Sequence, residues 1–203
     1  MFLKNKNQTY VASNFLTGMS LIELLVSMAI IVFITAIFVT NYRTTNKRTD
    51  LVMAAQSLVA DLHQAQNNSL GLLKYGDAVP AGGWGVSFDL YNNRNQYTLF
   101  ADLETPGTYG SMVYNNAGEG DISKGARIVQ LPPETEINAI RIGNSQSSRY
   151  SASVTFLPPD PKTYIYSSGA TSTALEIDLK ELNNNTIKTI RVNFLGLAEV
   201  SSD

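Results

Sequence analysis

The chain has 203 residues, with 15 Lys and Arg against 17 Asp and Glu, and only 16% of its residues are charged. A formal charge of −2 gives no electrostatic case for nucleic acid, and the absence of cysteine excludes disulfides, thiol nucleophiles, iron–sulfur clusters and cysteine zinc sites. Abundant Asn, Ser, Thr and Gly suit short strands and many turns better than a helical enzyme, and once one apolar segment is set aside the remainder suffices for a single domain with a modest core.

Residues 1–18 form a polar leader carrying Lys4 and Lys6. An apolar run follows, from Met19 to about Thr40. About 22 residues at ~1.5 Å rise span roughly 33 Å, enough to cross a hydrocarbon core of roughly 30 Å. The order of parts is wrong for a secretory signal, which places its apolar region before a small-residue cleavage site. Here the small residue, Gly18, comes first. An uncut signal anchor is the alternative. The positive-inside rule does not decide the orientation, because Arg43, Lys47 and Arg48 follow the run as Lys4 and Lys6 precede it. Glu23 is the one charge inside the run. A carboxylate there costs about 2.5–3.5 kcal/mol or more, so it needs a partner. Ser20 and Ser27 are expected to bond back to helix carbonyls.

The stretch Gly18-Met19-Ser20-Leu21-Ile22-Glu23-Leu24-Leu25 resembles the prepilin cleavage and methylation motif of type IV pilins and type II secretion pseudopilins. The likeness rests on a small residue at the cut, an acid five residues into the mature chain and an unbroken apolar helix behind it. The resemblance implies that a prepilin peptidase cuts between Gly18 and Met19 and that the new amine of Met19 is methylated. It also implies that Glu23 pairs with the amine of a neighbouring pilin or pseudopilin subunit. Met19 stands where most relatives have Phe, and Thr17 where many have Lys. Domain organisation follows: 1–18 leader, 19–41 transmembrane and assembly segment, 42–203 exported domain.

No Gly or Pro interrupts the chain from Met19 to Ser69, so one helix is expected to run on to about residue 74. Leu51, Ala55, Leu58, Leu62, Ala65 and Ser69 recur at steps of four and three, one face of an amphipathic helix, with Asp50, Asp61 and Gln64 off that stripe. Such a stripe must be buried, here against a sheet. Gly71, Gly76 and Pro80 end the helix. From Gly82 the period becomes two. Trp84, Val86, Phe88 and Leu90 mark a half-buried strand, Asn92 to Asn95 a turn, and Gln96–Ala101 its partner. Residues 105–121 read as a long surface loop. Strands are expected at 127–131 and 136–142, then at 150–156, which Pro158, Pro159 and Pro161 stop. A last hairpin joins 175–179 to 188–194 through Asn183-Asn184-Asn185, with Glu176 or Asp178 facing Lys188 or Arg191 across it. A short strand near Gly196–Val200 closes the chain. The expected fold class is therefore α+β, a long N-terminal helix packed on an antiparallel sheet domain. This order, with Gly83-Trp84-Gly85-Val86-Ser87-Phe88 after the helix, resembles the GspH/FimT-like minor pseudopilins, and the resemblance implies a pilin-like fold.

Other candidate sites carry little chemistry. His63 is the sole histidine, so neither a Ser-His-Asp triad nor a histidine-rich metal site can be built from it. It is expected to be solvated or packed beside the stripe. Ser69 lacks an evident base. The acids Asp77, Asp89, Asp102, Glu104, Glu119 and Asp121 border loops but lack EF-hand spacing. Trp84 is expected to pack the sheet onto the helix rather than serve as a ligand platform. Lys188 and Arg191 are followed by Glu199 and Asp203, a poor basic stripe for DNA. No enzyme activity, cofactor or metal is expected. The expected role is that of a structural subunit of a type IV pilus or type II secretion pseudopilus, single-pass in the cytoplasmic membrane. The alternative is a membrane-anchored extracellular module that binds DNA or a secreted substrate.

Overall fold

The structure is a computed structural model that describes residues 20–103, 114, 127–143, 145, 147–158 and 162–201. Gly18 and Met19 lie outside these residues, as do Glu104, Glu119, Asp121 and Asp203. Helix α1 spans Leu21–Leu70, four residues short of the expected end. Ser20 stands at its N-terminal border, where its carbonyl accepts the Leu24 N–H at 3.1 Å. At the other end Leu73 N–H donates to Asn68 O at 2.9 Å and Leu72 N–H to Ser69 O at 3.1 Å. That is the paired closure of a Schellman motif. The left-handed residue it needs is Leu72, with φ of 50°, and not either of the expected glycines, Gly71 and Gly76. The chain divides into two units, Met1–Arg43 and Thr44–Asp203.

Ten strands are seen among the described residues of the second unit. They are β1 (Gly83–Asp89), β2 (Gln96–Asp102), β3 (Arg127–Gln130), β4 (Thr135–Ile142), β5 (Ser151–Leu157), β6 (Lys162–Ser167), β7 (Ala170–Ser172), β8 (Ala174–Glu181), β9 (Ile187–Asn193) and β10 (Ala198–Val200). They form two antiparallel sheets, one ordered β3-β2-β1-β5-β6-β7 and the other β10-β9-β8-β4. The α+β class is as expected. Strands β6 and β7 add to the expected set, and local residues carry a signal for them. Tyr164, Ile165 and Tyr166 are strand formers. Ser168-Gly169, with φ of 48° and 85°, is the two-residue hairpin turn that requires positive φ at both positions.

Period-two alternation places Val86 and Phe88 of β1, Val154 and Phe156 of β5 and Ile165 of β6 on the inner face of the larger sheet, all fully buried. Ile177 and Leu179 of β8 and Ile190 of β9 contribute from the smaller sheet. The expected stripe Leu51, Ala55, Leu58, Leu62, Ala65 and Ser69 is buried to 1% exposure or less, in one core with both sheets. Burying a side chain of Leu or Ile size contributes about 1.5–3 kcal/mol, so this layer dominates the stability of the unit. Strand β1 is less one-sided than expected. On its outer face Ser87 and Gly85 are buried too, with Phe100 close above Gly85 and Tyr114 against Phe100 at 5.6 Å.

Candidate functional site

Within the first unit, Leu21–Val39 is the only stretch of the described residues long and apolar enough to cross a membrane. Nineteen residues at ~1.5 Å rise give roughly 28 Å. Its large side chains are open, Leu21 at 82% and Phe33 at 69% exposure, which in water is a liability and in lipid a fit. The polar hydroxyls fold inward. Ser27 Oγ donates to Glu23 O and Thr35 Oγ1 to Ile31 O, each at 2.7 Å, so neither presents an unsatisfied hydroxyl. Ser20, expected to do the same, instead lies before the helix. Glu23 sits in the first turn, where the helix dipole favours an anion.

In the second unit the sequence-derived candidates fall into structural roles. Ser69 is fully buried. Its hydroxyl donates to Phe156 O and accepts the Trp84 N–H at 3.1 Å, tying the helix to β1 and β5. Trp84 is half-buried, packs against the core, donates its indole N–H to Leu73 O at 3.2 Å and meets Tyr75 edge-on at 6.3 Å. It joins sheet to helix end, as expected. His63 is half-buried beside the stripe. Asp89 accepts the backbone N–H of Tyr91 and Asn92 at 3.0 and 3.2 Å and so caps the β1–β2 turn. Asp102 is buried on β2 and Asp77 exposed. Among the described residues no three acids or histidines stand together as an ion site would require.

The charged cross-strand pairing is richer than expected and differently wired. Arg191 pairs with Glu176 at 2.9 Å, but Lys188 stands opposite Leu179 and takes no part. Arg141 of β4 claims Asp178 with a two-pronged contact at 2.6 and 2.8 Å and reaches Glu176 at 3.2 Å. Hydrogen bonding to Asp178 holds the Arg141 guanidinium above its already high value in spite of burial. Arg191 is thus paired with an acid of the same sheet.

Asp61, expected off the helix stripe, is only 8% exposed. It accepts the Tyr97 hydroxyl at 2.6 Å and pairs with Arg127 of β3. Burial, then the hydrogen bond to Asp61 and its negative charge, push the Tyr97 phenol well above its ordinary range. The sequence carries a signal for this in spacing, since Asp61 stands three residues after Leu58 and four before Ala65, which returns it to the edge of the stripe. No family model, curated protein or solved structure matches this chain.

Proposed function

We propose that this protein is a prepilin-type subunit, a minor pilin or pseudopilin of a type IV pilus or type II secretion pseudopilus, with a pilin-like fold. The observation that carries the reading is Glu23, the single charge in the run Met19–Tyr42, directly behind Gly18. In this reading a prepilin peptidase cuts after Gly18 in the cytoplasmic membrane. The protein stays single-pass, with the β-rich unit outside the cytoplasm. Cleavage creates an ammonium at Met19, and the ammonium of one subunit offsets the desolvation of Glu23 in the next. Processing and assembly are coupled because the partner charge does not exist before the cut. The lipid-matching exposure of Leu21–Val39 supports a membrane-embedded precursor, and the buried stripe on the second half of α1 supports a helix serving as the spine of the β-rich unit.

Mass spectrometry of the membrane fraction from cells with an active prepilin peptidase tests this directly. The expected mature N-terminus is a methylated Met19; an N-terminus at Met1 overturns the reading. In the same cells Glu23→Ala is expected to be cut normally and to be lost from sheared filaments or pseudopili. Normal incorporation of that variant removes the ion-pair account while leaving cleavage intact.

A further inference from the structure

The outer face of the larger sheet, turned away from the core, carries a groove of about 1010 Å³. Register places Ser87 of β1, Thr98 of β2 and Ser153 of β5 on this face, opposite in parity to the buried Val86 and Val154. These small side chains make a low floor, where Ser153 Oγ donates to Ser87 Oγ at 3.2 Å. Tyrosines border it. Tyr166 stands on β6 opposite Ser153. Tyr91 and Tyr150, 83% and 70% exposed, project from the ends of β1 and β5, and Tyr114 lies towards the β2 side. The mouth also carries the side-chain amides of Asn92, Asn93 and Gln96.

The rim is held in place. Leu90 N–H donates to Tyr150 O at 2.7 Å, which fixes the two exposed tyrosines on adjacent, hydrogen-bonded backbone. Asp89 clamps the turn that carries Tyr91 and Asn92. Gln96 accepts from Gln130 Nε2 at 2.7 Å, and Ser167 Oγ donates to Ser151 O at 2.6 Å. These contacts fix the backbone from which the Tyr91 and Tyr150 rings project, so a ligand stacking on them orders side chains and not chain segments.

The chemistry of the lining selects its ligand. Among the described residues it contains no Lys or Arg, and its one acid, Asp89, is occupied by the turn. A nucleic acid or phosphate ligand would find stacking rings but no cation. A hydrocarbon ligand would leave unused the hydrogen-bonding capacity that the serine, threonine and amide groups keep beyond their contacts with one another. A sugar ring satisfies both halves of the lining. Its C–H face is weakly positive and stacks on the negative face of an aromatic ring. Its hydroxyls both donate and accept, matching Ser, Thr, Asn and Gln. The volume lies at the upper end for small-ligand sites, which suits a chain of sugars better than one. We propose that this groove binds a neutral oligosaccharide. The proposal is independent of how the N-terminal segment is processed.

The test is titration calorimetry of the full chain in phospholipid nanodiscs, free of glycosidic detergent, with cellohexaose, maltohexaose and N-acetylated chitohexaose, and with oligo(dT) as the anionic counterpart. At least one hexasaccharide is expected to bind with a dissociation constant of about 0.01–1 mM. That constant should be unchanged between about 0.05 and 0.5 M salt, because no ion pair contributes. Tyr91→Ala and Tyr150→Ala should each weaken binding by roughly 3–10-fold, and Tyr150→Phe should retain it. Both tyrosines are exposed, so the fold survives their loss, and unchanged Trp84 emission verifies this. Failure of all three hexasaccharides to bind overturns the proposal. So does affinity that falls tenfold with salt, displacement by oligo(dT), or binding indifferent to both alanine variants.

Discussion

Asp61 shows how much one side chain can hold together. Its carboxylate reaches from the helix to Tyr97 of β2 and Arg127 of β3, the edge strand of the larger sheet. The two contacts differ in worth. The phenol is buried, and without Asp61 its O–H loses its charged acceptor. The Arg127 side chain is 53% exposed and stays hydrated. Asp61→Ala is therefore expected to lower the unfolding free energy by about 2–3 kcal/mol, and Arg127→Ala by about 1 kcal/mol or less. Urea unfolding followed through Trp84, the sole tryptophan, measures both. Equal losses would mean that the ion pair, and not the phenol, is the main tie. Gly83 is a second sensitive residue. Its φ is 92°, and an added Cβ would stand 2.0 Å from Phe156 O, so Gly83→Ala should cost about 2–4 kcal/mol in the same assay.

At the scale of elements, two terminations make opposite predictions. Helix α1 closes on Leu72, a left-handed residue with a Cβ, where strain costs about 1–2 kcal/mol. Leu72 is 47% exposed and gives little packing in return. Leu72→Gly is expected to raise the unfolding midpoint, by about 1 kcal/mol in free energy. The β8–β9 turn works the other way. Glu181, buried at its start, accepts the backbone N–H groups of Asn183 and Asn184 at 3.0 and 2.9 Å. Burial alone would raise its pKa, but the hydrogen bonds from Asn184 and Asn183 outweigh it and the carboxyl sits below its ordinary value. A folded-state pKa below the unfolded one, near about 4.3, stabilises above that pH. The contribution is lost as pH falls through the folded value. The stability gap between wild type and Glu181→Gln is thus expected to shrink as pH falls from about 6 to 3, read as the difference in urea midpoints. A gap that is constant with pH would remove the charge from the explanation of this turn.

For the whole molecule, the division at Arg43/Thr44 leaves Leu21–Val39, the one stretch of the described residues long and apolar enough to cross a membrane, in the first unit. Among the described residues, the buried core of the second unit begins at Leu51. A chain starting at Thr44 is therefore expected to stay folded in water, with an unfolding midpoint by Trp84 emission equal to that of the full chain. Loss of the cooperative transition would show that the apolar segment contributes to the fold.

Features that depend on neighbours along the chain are legible in the residues alone. Helical spacing from Leu51 to Ser69 marked the buried face, and alternation marked β1, β5, β8 and β9. An acid in an otherwise apolar run marked Glu23. The hairpin partners Glu176 and Arg191 were legible for the same reason, since strands joined by a tight turn have a fixed register. Features that depend on distant segments emerge only once the strands are paired. The claim of Arg141 on Asp178 required β4 to lie beside β8, and the burial of Asp61 required Tyr97 and Arg127 to arrive above it. The tyrosine-bordered groove exists only because β1, β2, β5 and β6 are neighbours in one sheet. Periodicity reports which face a residue occupies, while the choice of partner across a sheet is made by long-range pairing that no local pattern encodes.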